Sequence, residues 1–213
     1  MKSESCLNCD VVIVNYNAGE LLVECVRSAF LANASHIIIV DNASTDNSLE
    51  CLKSIQSEQI SIIRNDKNFG FADACNIGYS LAKNDYILFL NPDCQLDNGS
   101  VAKLMEVLQS DSKIGMVGGL LTNSDGSEQQ GGRRAIPTPW RSFVRAFGLH
   151  HLAKYWPNLF FDFHLHKQAL PSHPIEVEAI SGACMLVKRE ALDDVGLWDE
   201  GYFLHCEDLD WCM

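Results

Sequence analysis

The stretch Tyr86-Ile87-Leu88-Phe89-Leu90-Asn91-Pro92-Asp93, with Asp97 a few residues on, decides how the rest of the chain is read. A short apolar run ending at a proline predicts a strand buried on both faces, because proline lacks an N–H and cannot continue the ladder. Such a strand delivers the Asp93 carboxylate to its C-terminal edge. In an open α/β sheet that edge is where ligands bind, and a carboxylate there can hold a divalent cation against a diphosphate. The plain alternative is an Asp capping a turn.

Working outward, the same pattern recurs. Val11-Val12-Ile13-Val14 ends in Asn15-Tyr16-Asn17, and Leu21, Leu22, Cys25, Val26, Ala29 and Phe30 then repeat at helical spacing. Ile37-Ile38-Ile39-Val40 stops at Asp41-Asn42, with Ser44, Thr45 or Asp46 available to cap a helix carrying Leu49, Leu52 and Ile55. Ile60 to Ile63 forms a third strand, stopping at Arg64-Asn65-Asp66. Strands alternating with helices predict a parallel sheet with right-handed crossovers, so the strand ends share one rim. That rim presents Asn15 and Asn17, Asp41 and Asn42, Asn65 and Asp66, and Asn91 and Asp93. One polar strand end is only a turn signal, but here every strand ends that way.

Between the third and fourth strands lies Asn68-Phe69-Gly70-Phe71-Ala72-Asp73-Ala74-Cys75-Asn76-Ile77-Gly78. Phe71, Ala74, Ile77 and Leu81 are the expected inward stripe of a helix, with Asp73 and Asn76 sharing a neighbouring face. Gly70 and the small residues allow a ligand or another backbone to approach closely. After Asp97 come a helix over roughly 100–108, a strand within Ile114 to Leu121, and a turn at 122–127. Ser181 to Val187 is a strand opening on small residues, Arg189 to Val195 a short helix, and 196–202 a loop of glycines and aromatics. The following helix carries Glu207, Asp208 and Asp210. Met213 falls about one turn into it, which suggests a fragment.

Composition narrows the classes. The 213 residues fit one large domain or two closely joined halves, and 47% hydrophobic content is that of a folded protein. A net charge of -12 argues against a general nucleic-acid binder, which needs clustered Lys and Arg to meet phosphates. The nine cysteines are scattered singly and no signal-peptide pattern opens the chain, which fits free thiols in a reducing compartment. Cys6-Leu7-Asn8-Cys9 has the spacing of half a zinc site, but no second pair follows to complete four ligands. No apolar run approaches the roughly 20 residues of a membrane-spanning helix. Within 133–167, however, six basic residues (Arg133, Arg134, Arg141, Arg145, Lys154, Lys167) face one acid, Asp162. Trp140, Phe143, Val144 and Phe147 share a helical face there. The segment is either a basic-aromatic flap for peripheral contact with a membrane surface or an insertion folded onto its own domain.

Taken in order, Val12-Ile13-Val14-Asn15-Tyr16-Asn17, Asp41-Asn42-Ala43-Ser44, Asn68 through Gly78, Leu90-Asn91-Pro92-Asp93, Ser181-Gly182-Ala183 and Gly196 to Asp208 resemble the inverting glycosyltransferases of family 2, in the rhamnosyltransferase-like branch. The resemblance covers nearly the whole chain from Asp10. It implies the GT-A fold, a Rossmann-like three-layer α/β/α sandwich around a mostly parallel sheet. It further implies a single domain over 1–213, with a nucleotide-sugar half (10–97) and an acceptor half (98–213) that is incomplete at its end.

By position, Asp41 matches the acid that reads the nucleotide base, with Asn15 and Asn17 lining the same pocket and Asn68, Asp73 and Asn76 nearby. Asp93 matches the last acid of the family's metal motif, whose first acid is here Asn91, so Asp93 is left to carry Mg²⁺ or Mn²⁺. Asp208 matches the catalytic base, with Glu207 beside it as the weaker candidate. The implied partners are a nucleoside-diphosphate sugar donor, rhamnose being the branch's suggestion, and a glycan or lipid-linked acceptor in cell-surface polysaccharide synthesis. The implied location is the cytoplasm or the inner membrane face. Two other enzyme classes fit less well. A nicotinamide oxidoreductase needs G-x-G-x-x-G after the first strand, and a nucleotidyltransferase a glycine-rich basic loop, where this chain has Asn-Tyr-Asn. A sugar-nucleotide-binding module without turnover stays open.

Overall fold

Strands that are apolar on both faces must be covered on both faces, and this requirement sets the architecture. The computed structural model describes residues 7–55, 57–156, 159–160, 165 and 169–213, with the backbone alone at position 150. Parallel strands β1 (Cys9–Asn15), β2 (His36–Asp41), β3 (Ile60–Arg64) and β4 (Tyr86–Leu90) form most of one sheet. β5 (Met116–Gly118) and a later strand, Cys184–Lys188, complete it. Two residue pairs, β6 (Arg133–Arg134) and β7 (Ala179–Ile180), make a separate antiparallel ribbon, so Cys184–Lys188 is β8. The six-stranded order is β3-β2-β1-β4-β8-β5, with β8 antiparallel to both of its neighbours. The sheet is thus mixed but mostly parallel: β1 to β4 are parallel as the alternation of strand and helix predicts, and antiparallel β8 departs from it.

The chain divides into two compact units, one comprising 1–119 and 182–207, the other 120–181 and 208–213. In the first unit, β1 and β8 are buried along their whole length. The order reverses at β1, from which β2 lies to one side and β4 to the other. Such a switch point opens a crevice at the strand C-termini. Ile13 pairs with Leu90, so the residues that follow them leave the sheet side by side.

The helices of this unit are α1 (Leu21–Leu31), α2 (Ser48–Leu52), α3 (Phe71–Leu81), α4 (Ser100–Ser110) and α6 (Arg189–Val195). The second unit holds α5 (Pro139–Ala146), a 3-10 turn at Leu149–Lys154 and most of α7 (Glu207–Trp211).

Two helical faces differ from the sequence expectation. On α1 the buried residues are Leu22, Val23, Cys25, Val26, Ser28 and Ala29, whereas Leu21 is exposed. On α3 they are Ala72, Ala74, Cys75, Asn76 and Gly78, whereas Leu81 is exposed. The cause is close packing. A Cβ on Gly78 would lie 2.4 Å from Val12 Cγ1, so α3 sits on β1 and β2 through its small residues, leaving Phe71 and Ile77 half-buried and Leu81 exposed. α2 also stops at Leu52, short of the expected Ile55, and the strand expected within 114–121 is confined to Met116–Gly118.

The loop at 196–201 docks through Trp198, which is buried and meets Phe71 and Phe89 edge-on at ring-centre distances of 5.6 and 5.3 Å. Cys9 faces the core of β1, where burial above all pushes its thiol up to about 12; Cys6 lies outside the described residues. All eight described cysteines are free thiols.

Candidate functional site

At the end of β1 the sequence places an asparagine where the strand is still fully buried, and its amide must therefore find partners. Asn15 Nδ2 donates to Asp41 Oδ1 at 2.6 Å, with Ser44 Oγ at 3.0 Å and Ser48 Oγ at 3.1 Å. Asn15 Oδ1 is buried with no hydrogen-bond partner among the described residues. Asp41 is itself buried at the end of β2 and also accepts from the Ser44 N–H, which the left-handed backbone at Ala43 brings within reach. Asn17, likewise left-handed, accepts from the N–H groups of Thr45 and Asp46. Asp46 in turn accepts from the N–H of Gly19 and of Ser48, the latter at the start of α2. Asn15, Asn17 and Asp41 are thus one hydrogen-bonded cluster at the β1 and β2 edge.

Asn42, buried beside it, was legible only as a rim residue. Its Nδ2 donates to Gly70 O at 2.8 Å and its Oδ1 accepts from Asn65 at 2.8 Å, tying the loop after β2 to both ends of the loop between β3 and α3.

Asn68 Oδ1 accepts from the Gly70 N–H and shapes the entry to α3. Along α3, Asp73 and Asn76 turn toward the 196–201 loop. Asn76 donates to Trp198 O at 2.9 Å and Glu200 Oε1 at 3.0 Å, and accepts from Trp198 N at 3.1 Å. Asn76 therefore holds this loop in place with both ends of its amide. Asp73 has its carboxyl raised above the usual range, first by burial and then by the Glu200 carboxylate beside it. Glu200 is the member of this group that sequence reasoning missed; its only signal is its place in the glycine-aromatic loop.

Asn91 starts a turn, its carbonyl accepting from Cys94 N and from the Cys25 thiol, while its N–H donates to Ala183 O at 2.9 Å. Asp93 is exposed. Burial, with the Asp93 charge adding to it, pushes the Cys94 thiol up to about 12. Glu207 is buried, and after burial itself its charge is the second cause raising the Cys75 thiol.

In the second unit, Asp208 sits in the first turn of α7 and pairs with the Arg134 guanidinium. Both side chains are mostly buried, and Arg134 Nη2 also donates to Ile180 O at 3.0 Å. Sequence reading grouped Arg134 with a basic flap and gave no sign of this partner. Two other arginines of that segment are paired as well, Arg133 with Glu128 at 2.7 Å and Arg141 with Glu178 at 2.6 Å. Asp162 and Lys167 lie outside the described residues.

A mixed, mostly parallel sheet with polar residues gathered at the parallel-strand C-termini defines a Rossmann-like α/β fold. Solved structures agree at the level of fold. The mannosyltransferase PcManGT of Pyrobaculum calidifontis, in complex with GDP-Man and Mn²⁺, superposes with a TM-score of 0.62 at 15% identity, over 96% of this chain and 50% of that one.

The family model described as glycosyl transferase family 2 matches residues 10–196, and the chain belongs to that family. Among its relatives is the N-acetylglucosaminyl-diphospho-decaprenol L-rhamnosyltransferase of Mycobacterium tuberculosis, 28% identical over 94% of this chain and 67% of the relative. Another is the low-salt glycan biosynthesis hexosyltransferase Agl10 of Haloferax volcanii, 23% identical over 95% of this chain and 59% of the relative. The chain is a glycosyltransferase-family domain that spans about two thirds or less of these relatives.

Proposed function

We propose that the chain transfers a sugar, rhamnose being the first candidate, from a nucleoside-diphosphate sugar to a hydroxyl of a glycan or lipid-linked acceptor in cell-surface glycan synthesis, with inversion. The observation that carries this is the family match over 10–196 together with the polar cluster of Asn15, Asn17 and Asp41 at the switch-point edge. Asp41 reads the base, with Asn15 and Asn17 fixing its loop. Asn68, Asp73 and Asn76 act nearby, Asn76 through the backbone of Trp198. Asn91 sets the turn that presents Asp93.

The chemistry is one displacement. The Asp208 carboxylate takes the proton of the acceptor hydroxyl as that oxygen bonds to the anomeric carbon. The bond from that carbon to the diphosphate oxygen breaks, and its electron pair leaves with the nucleoside diphosphate. Glu207 is the second candidate for the base. Arg134 holds Asp208 in one orientation. We further propose that the protein works in the cytoplasm or at the inner membrane face, meeting the membrane through 133–167.

The residue that would hold a divalent ion, Mg²⁺ or Mn²⁺, is Asp93, whose carboxylate is exposed just beyond the end of β4. When bound, such an ion supplies positive charge to the leaving diphosphate. In calorimetric titrations, Mn²⁺ is expected to tighten nucleoside-diphosphate binding to the native chain, and Asp93→Ala to remove about tenfold or more of that gain, the size of one charged contact. An unchanged Mn²⁺ effect in the variant contradicts the assignment of Asp93.

A further inference from the structure

Helix α3 and the segment 198–203 run past each other in opposite directions and are tied at three levels, all within the first unit. At the start of α3 the Phe71 N–H donates to Phe203 O at 3.0 Å. Further along, the Asn76 amide donates to Trp198 O at 2.9 Å and accepts from Trp198 N at 3.1 Å. Neither of these ties contains a group that titrates. Between them the Asp73 carboxyl hydrogen-bonds to the Glu200 carboxyl, whose Oε1 also accepts from Asn76 Nδ2 at 3.0 Å.

The middle tie differs in kind. An ionised carboxylate only accepts hydrogen bonds, so two carboxyls bond to each other only while one of them carries a proton. Burial first, and then the Glu200 charge, raise the Asp73 carboxyl above its usual range, while the Lys67 charge acts in the opposite sense. Asn76 presents only its amide to the pair, and Asp199, next to Glu200, turns one oxygen to the Gly201 N–H at 2.8 Å. Cys75, the neighbouring thiol on α3, is buried and feels the charge of Glu207. Because the Asp73 carboxyl is raised in the folded chain, the tie is complete below the ordinary carboxyl range and is lost as pH rises through the raised value. Glu200 is exposed and Asp73 half-buried, so solvent reaches this proton. Its loss frees the stretch between Trp198 and Phe203, which leads directly into Glu207 and Asp208.

We propose that Glu200 is a positioning residue, whose proton-dependent bond to Asp73 holds the segment ahead of Glu207 and Asp208 in place. The bond stands whatever the chain transfers; only its effect on turnover rests on the transferase reading above. The test is hydrogen exchange of the whole chain, read by mass spectrometry over 199–206 and corrected for the intrinsic pH dependence of exchange. It runs from about pH 4, near an ordinary carboxyl, to about pH 9. In Glu200→Gln the amide donates to Asp73 at every pH, whereas Glu200→Ala has no tie at any pH. The native chain is expected to match Glu200→Gln at the acid end and Glu200→Ala at the alkaline end. The gap it crosses is about fivefold in protection, the size of one net hydrogen bond. Turnover of the native chain relative to Glu200→Gln should fall by about the same factor over that range, in kcat with the donor KM unchanged.

Native protection that parallels Glu200→Gln at every pH overturns the proposal, because the bond then depends on no proton. Equal protection in Glu200→Ala and the native chain at the acid end overturns it as well; where Glu200→Ala does not fold, the comparison with Glu200→Gln decides alone. Exchange as expected with an unmoving turnover ratio overturns the positioning role. Exchange as expected with no sugar transfer by any of the chains supports the hold on the segment and counts against the transferase reading instead.

Discussion

Asp208→Asn is expected to lower the rate of sugar transfer about 10³-fold, within the range that one positioned general base supplies, while nucleoside-diphosphate affinity changes less than about threefold. Asparagine has nearly the same shape and keeps an oxygen for the Arg134 guanidinium that pairs with the native carboxylate. It has no lone pair basic enough to accept the acceptor's proton. The measurement is turnover at saturating donor beside a calorimetric titration of the nucleoside diphosphate. Transfer retained within tenfold would move the base to another group, and the parallel variant Glu207→Gln identifies it if the loss appears there. Loss of nucleotide binding in Asp208→Asn would place Asp208 in donor binding instead.

Gly70→Ala is expected to destabilise the first unit by about 3 kcal/mol, from strain at a glycine-only backbone conformation plus an unrelievable overlap. Gly70 has φ +96° and ψ 178°, and a Cβ there would lie 2.5 Å from the carbonyl oxygen of Phe203. That oxygen accepts the Phe71 N–H at 3.0 Å, so it cannot retreat without releasing the start of α3 from the segment ahead of Glu207. For a chain of this size the change corresponds to a melting temperature lower by roughly 6–12 °C. A melting temperature within about 1 °C of the native chain would show that the contact is soft.

What the sequence made legible was what it encodes locally. β1, β2 and β4 are apolar on both faces, so their runs announce them, and the polar residue after each run marks the rim. The inward face of α3 was not legible for the same reason in reverse. Gly78 carries little hydrophobic signal, yet its smallness lets the helix lie on Val12 and Val40. Contacts across long separations left no local trace. Asn76 bonds Trp198 across 122 residues and Arg134 pairs with Asp208 across 74, and no periodicity reports either. The antiparallel direction of β8 was hidden too, since an all-apolar run looks alike either way. Glu200 had only its loop to distinguish it, and its effect on Asp73 is a property of their shared surroundings.

The central claim is that the β1 and β2 edge binds the nucleotide of a sugar donor. Calorimetric titration of a panel of nucleoside diphosphates, with Mn²⁺ present, into the native chain and Asp41→Asn tests it most directly. Binding with a preference for one base is the predicted result, with that preference reduced at least about tenfold in the variant because one of the two accepting oxygens becomes an NH2 donor and the negative charge is lost. A folded native chain that binds none of the panel, or a base preference untouched by Asp41→Asn, would contradict it.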